Sequence, residues 1–336
     1  MGRVAIVSDA GYAASERDFF RGRVDLAFTG PLPAAWEARK AALDAISAAQ
    51  WAAGADPRDP GLADSVRDLG QLGVVLLESL RGRSAEVPYR GDLLTAPPGL
   101  SPGELDAGLW ARCLLAATAA QDAAAAVRLS RVRFDAFVPG GAPGQADLAR
   151  AIATIWVGDG DIGGAVVAAL EQTDPDRLSG HDADAALDLV VPQAAVLDRM
   201  ASGEPADALL VEAADDYAAH WSGHTPEVFL DIELCGIAVL ARLLGRAGDV
   251  RHAVLAPALT AADPARIIAC PVCAEPFDEA ERTCVWCASD LTADAPLELA
   301  LDDWLGDLLG GRRVPCGHCG ALRHPLAVRC WSCGER

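Results

Sequence analysis

Apolar residues recur with the 3.6-residue period of helices from the break at Gly30-Pro31-Leu32-Pro33 to about Gly248. Residues 62–80 carry the clearest stripe, Val66, Leu69, Leu72, Val75 and Leu76. Residues 34–53 are alanine-rich, with Trp36, Leu43, Ile46 and Trp51 in helical phase. The same pattern predicts helices over 145–157, 162–172, 184–200, 205–221 and 226–244, and eight to ten helices in all before residue 249. Ser101-Pro102-Gly103-Glu104 reads as a capping box with proline at the first helical position. Asp147 and Asp161 place negative charge at helix starts, and Gly245 and Gly248 end the last long helix. Residues 1–30 give no clear period, although Val4–Val7 suits a short strand. Val87-Pro88-Tyr89-Arg90 reads as a short extended segment followed by a proline-rich loop.

The pattern changes after residue 248. A linker, 249–266, leads to a stripe of Leu297, Leu301, Trp304, Leu305 and Leu308, with Glu298, Asp302, Asp303 and Asp307 opposite and Gly310-Gly311 as the stop. It predicts an amphipathic helix over 296–309. The small modules on either side cannot bury such a stripe alone. The helix is therefore expected to dock on the helical domain or to hold the two modules together.

Those modules are set by cysteine spacing. Eight of the ten cysteines lie in two C-x2-C-x10-C-x2-C quartets: Cys270, Cys273, Cys284 and Cys287, then Cys316, Cys319, Cys330 and Cys333. Each C-x-x-C knuckle delivers two thiolates, and four thiolates close a tetrahedral Zn²⁺ shell with no place for water. Two structural zinc ions are expected, and catalysis at the metal is not. Iron–sulfur clusters use other spacings. Sequential ligation fits the ribbon-length loops; cross-bracing is the alternative. His318 and His324 read as surface residues. Cys113 and Cys235 sit in apolar runs as buried thiols. The expected fold is mainly α: an irregular multi-helix domain over 1–262, then 263–336 with two small β zinc ribbons (about 266–291 and 312–336) joined by the amphipathic helix.

Charge narrows the choice of partners. The formal net charge is −20 with 51% hydrophobic residues, which disfavours general binding to nucleic acid or anionic membranes. No run of eighteen apolar residues and no secretory signal is visible, and reduced cysteines in ligand spacing point to the cytoplasm. The second ribbon carries Arg312, Arg313, Arg323, Arg329 and Arg336 against Glu335, with Trp331 as an aromatic contact; the first sets Glu275, Asp278, Glu279 and Glu281 against Arg282. The densest charge lies over 171–235, fifteen acids against Arg177 and Arg199. Asp182, Asp184, Asp188, Asp207, Glu212, Asp215 and Asp216 are its candidate contacts for a basic protein partner.

Catalytic signatures are missing. Gly140-Gly141-Ala142-Pro143-Gly144 lacks the Lys-Ser/Thr of a phosphate-binding loop, and no nucleophile elbow, H-E-x-x-H or dinucleotide fingerprint occurs. His220 and His224 are spaced i, i+4 near Asp215 and Asp216, but Ser222-Gly223 breaks the helix between them. A non-enzymatic protein is expected. A deep pocket with clustered, perturbed carboxylates is the feature that reopens the question.

Three segments resemble the bacterial immunity protein 49 family: Val166-Val-Ala-Ala-Leu-Glu-Gln-Thr-Asp-Pro-Asp-Arg-Leu178, Tyr217-Ala-Ala-His-Trp221, and Phe229-Leu-Asp-Ile-Glu-Leu-Cys-Gly-Ile-Ala-Val-Leu-Ala-Arg-Leu-Leu-Gly245. The likeness spans about 35–247. It implies a helical protein that neutralises a toxin of a polymorphic toxin system by binding it. The family has no catalytic motif to transfer, and the tandem ribbons lie outside its pattern as an added docking module. The alternative is a zinc-ribbon adaptor or regulator contacting a larger protein or nucleic-acid assembly.

Overall fold

The computed structural model describes residues 10–27, 35–82, 85–100, 105–132, 137–158, 161–222, 230–309 and 313–335. The strand expected at Val4–Val7, the capping box at 101–104, His224, Arg312 and Arg336 lie outside them, as do the side chains of Trp36 and Leu308.

The body is a stack of helices around α4 (Ala107–Ala119), which is buried along its length except at Arg112. Asp106 caps it, accepting from the Leu109 amide at 2.8 Å. α3 (Gly61–Leu80) and α11 (Ile232–Leu243) cross it on small residues. A Cβ added at Gly73 would stand 2.3 Å from Cys113 Cβ, and one at Gly236 would stand 2.5 Å from the Leu115 carbonyl oxygen. Cys113 and Cys235 are accordingly buried, small hydrophobes at close crossings. α5 (Ala123–Ser130), α6 (Gln145–Val157) and α7 (Ile162–Gln172) follow, the last two with the predicted bounds. α10 (Asp207–Trp221) and the four-residue α12 (Pro257–Thr260) complete the body.

Several elements differ from the sequence expectation. α1 (Ala10–Ala27) packs on α2 (Ala35–Ala55), yet it buries little: Phe19 and Leu26 are 55% and 72% exposed, so no clean stripe announces it. The extended segment is one strand of a hairpin, β1 (Glu86–Tyr89) with β2 (Asp92–Thr95). Its two-residue loop, Arg90-Gly91, has φ of 52° and 83°, the mark of a type I′ turn. Asp68 fixes that loop by accepting from the Arg90 guanidinium at 2.9 and 2.6 Å. The helix expected over 184–200 runs from α8 (His181–Ala185) through a π turn (Ala186–Val190) into α9 (Val191–Ala201). Pro192 lacks the amide for the regular ladder, and the π turn takes up that gap.

The predicted helix 296–309 is half strand. β4 (Leu297–Ala300) pairs antiparallel with β3 (Arg266–Ala269), Ile267 opposite Leu299, before α13 (Leu301–Leu309) begins. Leu297-Glu-Leu-Ala fits a period of two as well as a helical turn, and the edge of β3 supplies the backbone partners. β5 (Val314–Pro315) and β6 (Leu322–Arg323) make the second ribbon's ladder.

The stripe on α13 does both things its pattern allowed. Leu301, Trp304 and Leu305 are fully buried in the same core cluster as α4 and α6, and Trp304 lies 6.2 Å from Trp156 of α6. Its indole N–H donates to the Ala274 carbonyl in the first ribbon at 3.3 Å. Ile267, Leu301, Trp304 and Leu305 thus belong to the body's core, whereas Cys270, Cys273, Phe277, Cys284 and Leu291 form a separate cluster inside the first ribbon. Among the described residues no helix is long and apolar enough to cross a membrane.

Candidate metal centres and an acidic face

Four copies of one turn build the two centres. In each, the amide following the second cysteine of C-x-x-C donates back to the first cysteine's carbonyl: Ala274 to Cys270 (2.8 Å), Ala288 to Cys284 (2.9 Å), Gly320 to Cys316 (2.9 Å) and Gly334 to Cys330 (2.9 Å). That fifth residue is left-handed in every knuckle, with φ of 58°, 57°, 76° and 73°. The second ribbon uses glycine there; the first uses alanine and carries the strain of a Cβ.

The sulfurs come together sequentially, all within 4.8 Å inside each quartet, and cross-bracing is not what forms. Cys270 and Cys287 are 3.7 Å apart, Cys273 and Cys284 3.6 Å, and Cys316–Cys333 and Cys319–Cys330 each 3.7 Å. Thiolates about 2.3 Å from a central Zn²⁺ at tetrahedral angles stand about 3.8 Å apart, whereas a disulfide needs about 2.05 Å. The donor set and its spacing fit two structural zinc ions. The first shell is the more enclosed; in the second, Cys319 is exposed.

The ribbons' opposite charges face each other and the body. Glu275 is 0% exposed and meets two arginines, Arg131 Nη2 at 2.8 Å and Arg313 Nη1 at 3.2 Å, whose side chains are 5% and 1% exposed. The Arg313 contact is a hydrogen bond; the Arg131 approach lies off the N–H direction and acts as charge pairing. Arg131 leaves the end of α5 and lies over both Trp286 of the first ribbon and Trp331 of the second, 4.3 and 3.8 Å from the centres of rings that meet edge to face. Arg128 and Glu281 form a second buried pair. Val328 and Arg329 amides donate to Val272, joining ribbon to ribbon at 2.7 and 2.9 Å.

This corrects two expectations. Arg313 is not part of a basic face, and Glu275 and Glu281 are not part of an acidic one: the charges neutralise one another internally. His324 is not a surface residue. It is 2% exposed, faces Asp307 at 3.4 Å, and burial holds its imidazole below the usual range. His318 is exposed as expected.

The acids of 171–235 divide likewise. Asp182 and Asp184 are exposed on α8, and Asp207, Glu212, Asp215 and Asp216 on α10. Asp188 sits half-exposed in the π turn, 2.9 Å from His220 Nδ1. Asp188, Glu212, Asp215 and Asp216 lie together: partial burial, then the charges of the other three, push the Asp216 carboxyl up. Asp207 accepts from the Gly248 amide at 2.8 Å, and Asp215 approaches His252 at 3.2 Å. Asp231 and Glu233 turn inward, Asp231 capping α11 and Glu233 bound to Arg112 at 3.0 Å. Their place in the acidic run gave no sign of this; the Asp-x-x start of an apolar helix was the one available signal. No family model, curated protein or solved structure matches the chain.

Proposed function

We propose that the chain is a non-enzymatic binding protein of the immunity type, which neutralises a cationic toxin domain by docking it on the acidic face of α8–α10. The observation that carries this reading is the group Asp188, Glu212, Asp215 and Asp216. It is a dense negative charge on packed helices, with Leu187 and Val211 exposed on the same elements as apolar contacts. Such a field accelerates encounter with a basic partner, and the effect falls with salt. The resemblance to the immunity protein 49 family supports the same reading. Eight cysteines in metal-ligand spacing favour a reducing compartment, and the reading carries a cytoplasmic location with it.

The test is to locate a toxin gene adjacent to this one and to measure rescue from its product. The wild-type chain restores growth, and the double variant Asp215→Lys, Asp216→Lys does not. Equal rescue by the variant rejects the face, and no rescue by the wild type rejects the immunity reading.

A second reading, docking of a larger assembly through the tail, is favoured by Val314, Leu326 and Val328, each about half exposed on the second ribbon beside exposed Arg329. Removing 263–336 cannot separate the two, because it strips Leu301, Trp304 and Leu305 from the core. Leu326→Ser with Val328→Ser separates them: binding through α8–α10 survives it, and binding through the tail does not.

A further inference from the structure

α1 packs on α2 and turns about half its circumference to water. At about 100° per residue that half carries three rows. Asp18 and Asp25 form one edge, Ser15 and Gly22 the middle, and Tyr12, Phe19 and Leu26 the other edge. The last three are spaced seven residues apart, and each is more than half exposed. Apolar residues scattered singly over a surface are ordinary; three in one row on one helix mark a contact surface.

The middle row points to what covers the ridge. No neighbouring atom lies within 4 Å of the point where a Cβ would stand on Gly22. The small residues are therefore a recess beside the ridge. Two copies of α1 laid antiparallel, with a two-fold axis at the peptide bond between Phe20 and Arg21, put ridge into recess. Phe19 then stands level with Gly22 of the second copy and Leu26 with its Ser15, and symmetry makes each contact twice. Charge selects this register. It brings Glu16 within one turn of the second copy's Arg23, an opposite pair made twice, whereas a slide of seven residues either way sets Glu16 against Glu16 or Arg23 against Arg23. Arg23 is held beside the ridge, 3.0 Å from Asp44 of α2 and over the Phe19 ring. On the opposite edge the acids carry their own cations. Asp18 meets Arg17 at 2.8 Å and Asp25 meets the Arg90 guanidinium, so the two acidic rows come together neutralised.

We infer that the chain forms a two-fold dimer through antiparallel α1 helices, Phe19 and Leu26 of each copy seated on Gly22 and Ser15 of the other. This surface shares no residue with the acidic face of α8–α10 and stands whether or not that face docks a toxin. α1 has 18 residues and is about 27 Å long, so the contact is small and the dimer weak and reversible, with a dissociation constant of about 10 µM.

Sedimentation velocity of the full, zinc-loaded chain from about 1 to 200 µM tests it, with a monomer–dimer equilibrium as the expected result. Gly22→Leu is the sharpest variant. Its side chain has room in the monomer and a better helix propensity, so the urea midpoint should not fall, yet it fills the recess. It is expected to weaken the dimer at least about tenfold, as is Phe19→Ser. Orientation is read from cross-linking. Ser15→Cys mixed with Leu26→Cys is expected to form a disulfide between the two proteins under mild oxidation. Either variant alone is not, because in this register equal positions stand about 16 Å apart along the axis. The native thiols do not compete, since eight are zinc ligands and Cys113 and Cys235 are buried. A monomer up to about 200 µM overturns the inference. So does undiminished association in Gly22→Leu, or cross-linking of Ser15→Cys with itself as readily as with Leu26→Cys.

Discussion

Replacing Glu275 by glutamine keeps the side chain's shape and removes one buried charge. It leaves Arg131 and Arg313, both almost wholly buried, without their shared anion. Removing one partner of a buried ion pair costs about 3–5 kcal/mol, because the surviving charge is stranded away from water. Two effects moderate that here. Arg131 keeps both indole faces, at 4.3 and 3.8 Å, and the glutamine carbonyl can still accept from Arg313. The low end, about 3 kcal/mol, is the expected loss, against a total stability of about 5–15 kcal/mol for a folded domain. The assay is equilibrium unfolding in urea of zinc-loaded protein, with zinc content checked before and after. The midpoint should fall with no change in slope. Glu279→Gln is the control: it removes an exposed acid from the same ribbon and should stay within about 0.5 kcal/mol of wild type. A loss below about 1 kcal/mol for Glu275→Gln refutes the reasoning, since the two arginines would then be compensated by something other than Glu275.

Ala274→Gly relieves a left-handed alanine and should stabilise the first ribbon by about 1 kcal/mol, read as a higher urea midpoint; the mirror change Gly320→Ala should destabilise the second ribbon. Elemental analysis should give two zinc ions per chain, the ion at the second quartet leaving first under a chelator because Cys319 is exposed; a value near one contradicts two separate shells. Burial, then the charge of Glu233, holds the Asp231 carboxyl well above the carboxylate range, while Arg112 and the Leu234 amide oppose the rise and Tyr217 and Cys235 sit nearby. The folded chain then keeps a proton that the unfolded chain releases near pH 4, so this residue's contribution is full below that pH and is lost as pH rises toward the folded value. Asp231→Asn should therefore gain on wild type between pH 5 and pH 7; parallel stability curves contradict the shift.

What was legible in the sequence was whatever depends on local spacing. The knuckles repeat one short pattern, and the sulfurs assemble as that pattern implies. α6 ends and α7 begins where expected because Gly158 and Asp161 punctuate an otherwise continuous apolar run. What was not legible depends on partners distant in sequence. β4 needed the edge of β3, about thirty residues earlier, to choose strand over helix. The charge of Glu275, Glu281 and Arg313 could be read, but its direction could not, because Arg131 and Arg128 lie more than 140 residues away on α5. Asp231 and Glu233 looked like two more members of an acidic run; only the packing of α11 against α4 turns them inward. α1 carries too few buried residues to produce a period at all.

Through β3 and α13 the tail enters the body's core, and buried ion pairs tie the first ribbon to α5. Hydrogen exchange of the full chain, before and after exhaustive zinc removal, tests this most directly. Arg128 and Arg131 tie α5 to the first ribbon, and Trp156 packs α6 on Trp304. Loss of zinc should therefore strip amide protection from α5, α6 and α13 together with the ribbons, while the α1–α2 pair keeps its protection. Loss confined to residues 266–335, with α5 and α6 unchanged, contradicts the claim.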